Sequence, residues 1–219
     1  MKKIAAITIS SIICFYNSFN AFALEDGDWQ LWNTDGIEWK ATKKVKLKIA
    51  EELRFGDDMS RLYYYHTEGG FDLKLFDWFT FGADYRQVWQ KTGNKWKQED
   101  RPQINGTFNW DFQGFKIQDR NRFEYRIRKW TRDGWRYRNK FTVIFPWEWT
   151  QFDIQPYIAD EIFVDFYGEK INRNRVYAGF NAKLCKNLKT EIYYLWQASK
   201  EKGKWKDSNV IGLKLKIVF

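Results

Sequence analysis

The stretch "DRNRFEYRIRKW" at residues 119–130 carries a guanidinium at alternate positions, Arg120, Arg122, Arg126 and Arg128, with Glu124 in the same phase. Arg136, Arg138 and Lys140 continue the spacing, and Arg173 and Arg175 repeat it further on. In an extended chain successive side chains point to opposite faces, so a period of two gathers these cations on one side, away from Phe123, Tyr125 and Ile127. A row of guanidinium forks has two chemical uses. It pairs with carboxylates in fixed geometry, or it raises the local concentration of a small anion. Carboxylates suited to the first use are Glu52, Glu68, Asp84, Glu124, Asp153, Glu161 and Glu191. The sequence is compatible with both: an ion-pair network that fills an interior, or a basic passage or cradle for a small anionic solute.

Other chemistry has little support. His66 is the single histidine and shares a face with Tyr64, Glu68 and Asp72, while Ser60, Ser199 and Ser208 fall near the ends of segments. No serine–histidine arrangement, Cys/His cluster or glycine-rich phosphate loop is present, so no catalytic residue, metal ligand or cofactor is assigned.

The elements that must position the cations are strands. From Val45 onward the chain divides into alternating segments. Residues 44–55 set Val45, Leu47, Ile49, Leu53 and Phe55 against Lys44, Lys46, Lys48, Glu52 and Arg54. Residues 79–90 set Phe79, Phe81, Ala83, Tyr85 and Trp89 against Thr80, Gly82, Asp84, Arg86 and Gln90. Residues 102–112 and 173–184 divide in the same way. One face is apolar and the other charged, and no stretch has helical period. The mean hydropathy of −0.67 argues against helical spans, which need about 20 consecutive apolar residues. It does not argue against a barrel, whose alternation averages out as hydrophilic. Aromatic residues make up 20% of the chain, with 13 tryptophans, and amphipathic rings favour a membrane interface.

"LFDW", "DFQG", "FPWEW" and "LCKNL" read as tight turns; "KTGNKWK", "RKWTRDGW", "DFYGEKIN" and "SKEKGKWKDS" read as longer loops between them. Trp78, Trp110, Trp147 and Trp149 accompany the first set, and Trp89, Trp96, Trp130, Trp135, Trp196 and Trp205 the second, as two aromatic girdles would. The expected fold is all-β: a transmembrane antiparallel barrel of about 10–12 strands with a polar, charged lumen. "DWQLWNTDGIEWK" at 28–40 either breaks at "NTDG" into two short strands, giving twelve, or lies against a barrel of ten.

The first 23 residues combine Lys2-Lys3, an apolar run from Ile4 to Tyr16 and the A-x-A signal Ala21-Phe22-Ala23, the pattern of a cleaved export leader. Without it the formal charge of +9 falls to +7 and Cys185 is the only cysteine, which excludes an intramolecular disulfide. Residues 24–219 then form one domain. Export makes nucleic acid an unexpected partner, although arginines interleaved with aromatics also suit single strands.

"EELRF", "EDRPQINGTF", "NRFEYR", "PYIADEIFVDF" and "NRNRVYAGF" resemble, in order, the bacterial family called domain of unknown function 2490, whose members look like outer-membrane barrels. The resemblance implies the fold and brings no activity. It agrees with a Gram-negative outer-membrane location and with outer-membrane lipid, lipopolysaccharide and the barrel-assembly machinery as partners.

The chain closes on "NVIGLKLKIVF", a strand with Leu213, Leu215, Ile217 and Phe219 on its apolar face. Such an ending resembles the assembly signal of outer-membrane proteins, and a free apolar edge aggregates unless it is closed. Deleting Phe219, or adding a charged tag after it, is expected to reduce heat-modifiable protein in outer-membrane fractions, while the same tag after Ala23 is tolerated. Normal levels with the C-terminal tag would remove the assembly role.

Overall fold

In the computed structural model, which describes residues 25–167, 171–201 and 203–219, the alternating segments are strands. They are β1 (Asp28–Lys40), β2 (Val45–Gly56), β3 (Arg61–Lys74), β4 (Phe79–Thr92), β5 (Lys95–Phe112) and β6 (Phe115–Arg128). Then follow β7 (Gly134–Ile144), β8 (Gln155–Asp165), β9 (Ile171–Cys185), β10 (Leu188–Glu201) and β11 (Lys204–Val218). Each pairs with the next in antiparallel fashion, and β1 pairs with β11 to close the barrel. The leader at residues 1–23 lies outside the described residues.

The closure is parallel, running from Asp28 opposite Ser208 to Glu38 opposite Val218. With eleven strands going up and down in turn, the first and last point the same way, so this pair has no antiparallel option. Eleven falls within the expected range of 10–12, but as an odd count in place of the even ten or twelve. The difference lies in "NTDG", which has turn composition but stays extended. Asn33, Thr34, Asp35 and Gly36 are paired on one side with β2 and on the other with β11. Two ladders override the local turn preference of four residues.

Loop lengths also differ from expectation. Alternation runs through "KTGNKWK" and "SKEKGKWKDS" to hairpin ends at Thr92 opposite Lys95 and Glu201 opposite Lys204, with Gly93 and Gly203 at positive φ. "FPWEW", expected to be a tight turn, instead opens a connection over 145–154 that carries its own bridge from Trp149 to Ile154. The rims are therefore not sorted into short turns and long loops.

Period two sorts the side chains. Ile49, Ile104, Phe180, Ile192 and Ile211 stand exposed on the outside, while Glu124, Glu161, Arg138 and Arg175 are buried within. A bulge between β2 and β3 turns two successive tyrosines, Tyr63 and Tyr64, inward. Phe219 joins the closing ladder: its N–H donates to the Glu38 carbonyl at 2.9 Å, and its carbonyl accepts from Lys40 at 3.0 Å.

Tyr193 lies opposite Gly179 on one neighbour and Gly212 on the other. Its ring occupies the volume that a Cβ at Gly212 would need. Gly212→Val is expected to destabilise by about 1–3 kcal/mol through overpacking, lowering the urea midpoint in lipid, whereas Leu213→Val on the outer face leaves it nearly unchanged. Equal midpoints would mean that the Tyr193 ring moves aside freely.

Candidate functional site

The interior is built by the charged face of every strand. Two glutamates anchor one side. Glu124 on β6, fully buried, accepts from Arg136 Nε at 2.9 Å and from Arg138 Nη1 at 2.7 Å. Glu161 on β8 accepts from Arg138 Nη2 at 2.7 Å, Arg120 Nη2 at 3.1 Å and the Tyr177 hydroxyl at 2.9 Å, with Arg175 Nη1 3.5 Å away. Around the wall, Glu52 accepts from Arg54 at 2.6 Å, Glu68 from Arg86 at 2.6 Å and Gln103 at 2.7 Å, and Glu99 from Arg101 at 2.5 Å and Arg126 at 2.6 Å. Hydrogen-bonded pairing of this kind is what permits charges to be buried at all.

Nearer the rim that carries Phe219, Asp84 meets Lys48 at 3.0 Å and accepts from Asn105 at 2.6 Å. Glu191 accepts from Lys214 at 2.9 Å and from the Tyr157 hydroxyl. Arg122 donates to Asn105 Oδ1 at 2.6 Å, with Glu124 3.8 Å away, and Lys140 Nζ stands 3.9 Å from the Tyr177 ring.

Two residues of the expected set lie elsewhere. Asp153 sits in the 145–154 connection and pairs with Lys183 at 2.6 Å on the exposed surface. "FPWEW" does not end in a hairpin, so Asp153 never joins the inward phase. Arg128, at the last position of β6, turns to the rim and donates to the Arg132 carbonyl.

A second kind of contact crosses the interior. The Arg54 guanidinium lies 3.6 Å from the Trp32 ring and 4.2 Å from Tyr64. Arg175, on the opposite face of the closure, lies 4.8 Å from Trp32 and 4.7 Å from Phe163, and Arg138 lies 4.5 Å from Phe163. The row Tyr64, Arg54, Trp32, Arg175, Phe163, Arg138 draws on β3, β2, β1, β9, β8 and β7. Trp32 and Phe163 are both buried. This septum lies between a chamber of about 130 Å³, facing the rim of Arg173 and Ser199, and cavities of about 260 and 460 Å³ on the side of Lys140 and Lys214, with Arg54, Arg138 and Arg175 lining both sides.

Neither Trp32 nor Phe163 was assigned to the site from sequence, nor were Arg54, Arg86, Glu99 and Arg101. Trp32 shares phase with Gln30 and Glu38, and Phe163 with Glu161 and Asp165, so alternation alone carries the signal once β1 is continuous. His66 is buried, with Nδ1 3.7 Å from Glu52. Among the described residues no three His, Cys, Asp or Glu side chains form a metal-holding group.

The family model described as protein of unknown function (DUF2490) matches residues 29–208, all but the ends of this barrel. The chain belongs to that family. No curated protein matches it. Among solved structures the chain is similar to the translocator domain of autotransporter NalP from Neisseria meningitidis, at 9% identity and a TM-score of 0.42, over 80% of this chain and 75% of that one. The DUF2490 match covers every residue of the septum and most of the chamber wall.

Removing one carboxylate from the network leaves desolvated guanidiniums behind. Glu124→Gln is expected to lower stability by about 3–5 kcal/mol, read as the urea midpoint of folding in lipid, while Asp153→Asn leaves the midpoint in place. Tolerance of Glu124→Gln would mean that water already solvates Arg136 and Arg138.

Proposed function

We propose that this barrel spans the Gram-negative outer membrane, is closed across its middle, and holds small anionic solutes rather than conducting them. The observation that carries the closed state is the septum, in which two arginines reach Trp32 from opposite sides of the closure. Membrane insertion is supported by the outer face. Ile49, Ile104 and Ile192 are each at least half exposed, and apolar side chains stand outward along the whole circumference. Soluble monomers do not expose continuous apolar belts of this kind.

The rings at the two ends suit interfacial girdles. Trp39, Trp78, Trp110, Trp147 and Trp149 are exposed at the rim of Phe219, and Trp29, Trp96, Trp135 and Trp205 at the other. Assembly from a recognised C-terminal strand puts Phe219 at the periplasmic rim, so the chamber of Arg173 opens outward. Export by the leader at 1–23, insertion by the barrel-assembly machinery and contact with lipid and lipopolysaccharide complete this reading.

A binder and a channel differ in one measurement. In planar bilayers the protein is expected to show no steady conductance steps, while Trp32→Ala, checked for heat-modifiable migration, conducts with a preference for anions. Steady conductance by the unaltered chain would overturn the closed reading, and a silent, folded Trp32→Ala would show that Trp32 is not what closes it.

A further inference from the structure

Among the described residues, the outward chamber has more arginines than carboxylates paired with them. Eight arginines line it. Arg54 and Arg86 have glutamates of their own, Glu52 and Glu68, but the others share: Arg101 and Arg126 use Glu99, Arg136 and Arg138 use Glu124, and Arg138 and Arg175 use Glu161. Arg120, outside the chamber, draws on Glu161 as well. Asp165, 3.8 Å from Arg126, adds one more acid, and Glu25 and Glu201 stand at the mouth with Lys206. Arg173 is the extreme case. Its Nε donates to Ser199 Oγ at 3.0 Å, and among the described residues no carboxylate lies within ion-pair distance of it. Uncompensated cations side by side in a partly dry chamber repel, and an anion supplied from outside relieves that repulsion.

Shape narrows the anion. The arginines come from β2, β4, β5, β6, β7 and β9, so they surround the chamber instead of lining one wall. A planar carboxylate offers its oxygens in one direction, whereas a tetrahedral oxyanion offers them in several, and guanidinium forks match phosphate oxygens in pairs. A volume of about 130 Å³ leaves room for a compact anion such as a phosphate group.

We propose that this chamber binds a compact phosphate-class dianion, with Arg173, oriented by Ser199, as the cation that the ligand pairs. The proposal rests on the reading of the barrel as a holder of anions and gives that reading a site and a ligand class. The phosphate can be free or can belong to a lipid headgroup reaching over the rim.

Calorimetric titration of the full chain, folded in detergent at low salt, with inorganic phosphate tests it. Saturable binding is expected, competed by sulfate and not by acetate. Arg173→Gln is expected to weaken binding by about tenfold or more, the loss of one charge-assisted contact, and Ser199→Ala by less. Lys140→Gln, on the far side of the septum, leaves binding unchanged. Should Arg173→Gln fail to fold, Arg173→Lys keeps the charge and removes the fork, and the same weakening is expected. No binding by the unaltered chain, equal binding of acetate, or unchanged affinity in folded Arg173 variants would overturn the site. Loss of binding with Lys140→Gln alone would overturn it while leaving the holder reading intact; bilayer conductance would do the reverse. Repeating the titration in nanodiscs separates the sources: binding that is unaffected by phosphatidic acid supports free phosphate, and binding blocked by it supports a headgroup in the same site.

Discussion

The ladder between β1 and β11 is the contact on which the rest depends. Without it the sheet has two long edges, each a row of unpaired backbone groups beside an apolar face. With it, every strand has two neighbours, and the strand of odd count must run parallel to the first. The ladder also places side chains. It holds Trp32 two strands from β10 and three from β9, close enough across the curved wall for Arg175 to reach its ring. An antiparallel closure would need an even count, ten strands or twelve, with a lumen of another width and a different neighbour for Trp32. The septum is thus a consequence of strand number as much as of side-chain chemistry.

Inside this frame the charges cost more than they would in water, and their arrangement reflects that cost. Each inward glutamate takes several donors, as Glu161 does from Arg138, Arg120 and Tyr177. Sharing satisfies the lone pairs of few acids with many donors, but it leaves net positive charge. That charge cannot escape into solvent from the middle of the wall. The cations lie around the cavities, at the chamber of Arg173 on one side and near Lys140 and Lys214 on the other.

Much of the barrel was legible because alternation is a direct report of which side of a sheet a residue occupies. The inward phase of Arg120, Arg122, Arg126, Arg136 and Arg138 needs only parity, and so does the outward phase of Phe180 and Ile217. What failed was everything set by competition between local preference and the ladder. "NTDG" resembles a turn, yet two neighbouring strands hold it extended, and "FPWEW" resembles a short hairpin, yet the chain continues to Ile154 before pairing again. Asp153 was lost with the second of these and the strand count with the first. The pairing of Arg173 with Ser199 and, among the described residues, with no acid was not legible at all, because it depends on the register between β9 and β10.

Aromatic rings inside a charged lumen then have a physical reason. A further carboxylate for each surplus arginine would add another desolvation cost, whereas a ring face attracts a cation while bringing no charge of its own to bury. Arg54 combines one acid with the rings of Trp32 and Tyr64, and Arg175 combines a more distant acid with those of Trp32 and Phe163. Lys140 has Tyr177, and Lys214 adds Tyr193 to its acid. The compensation thins toward the chamber of Arg173, because Phe163 is shared by Arg136, Arg138, Arg173 and Arg175, of which Arg175 also has Trp32, and a ring has only two faces. Arg173, 5.5 Å from that ring and without an acid among the described residues, stands last in the order of compensation. Among the described residues, the compensation of the interior's cations therefore ends at the chamber that Arg173 lines.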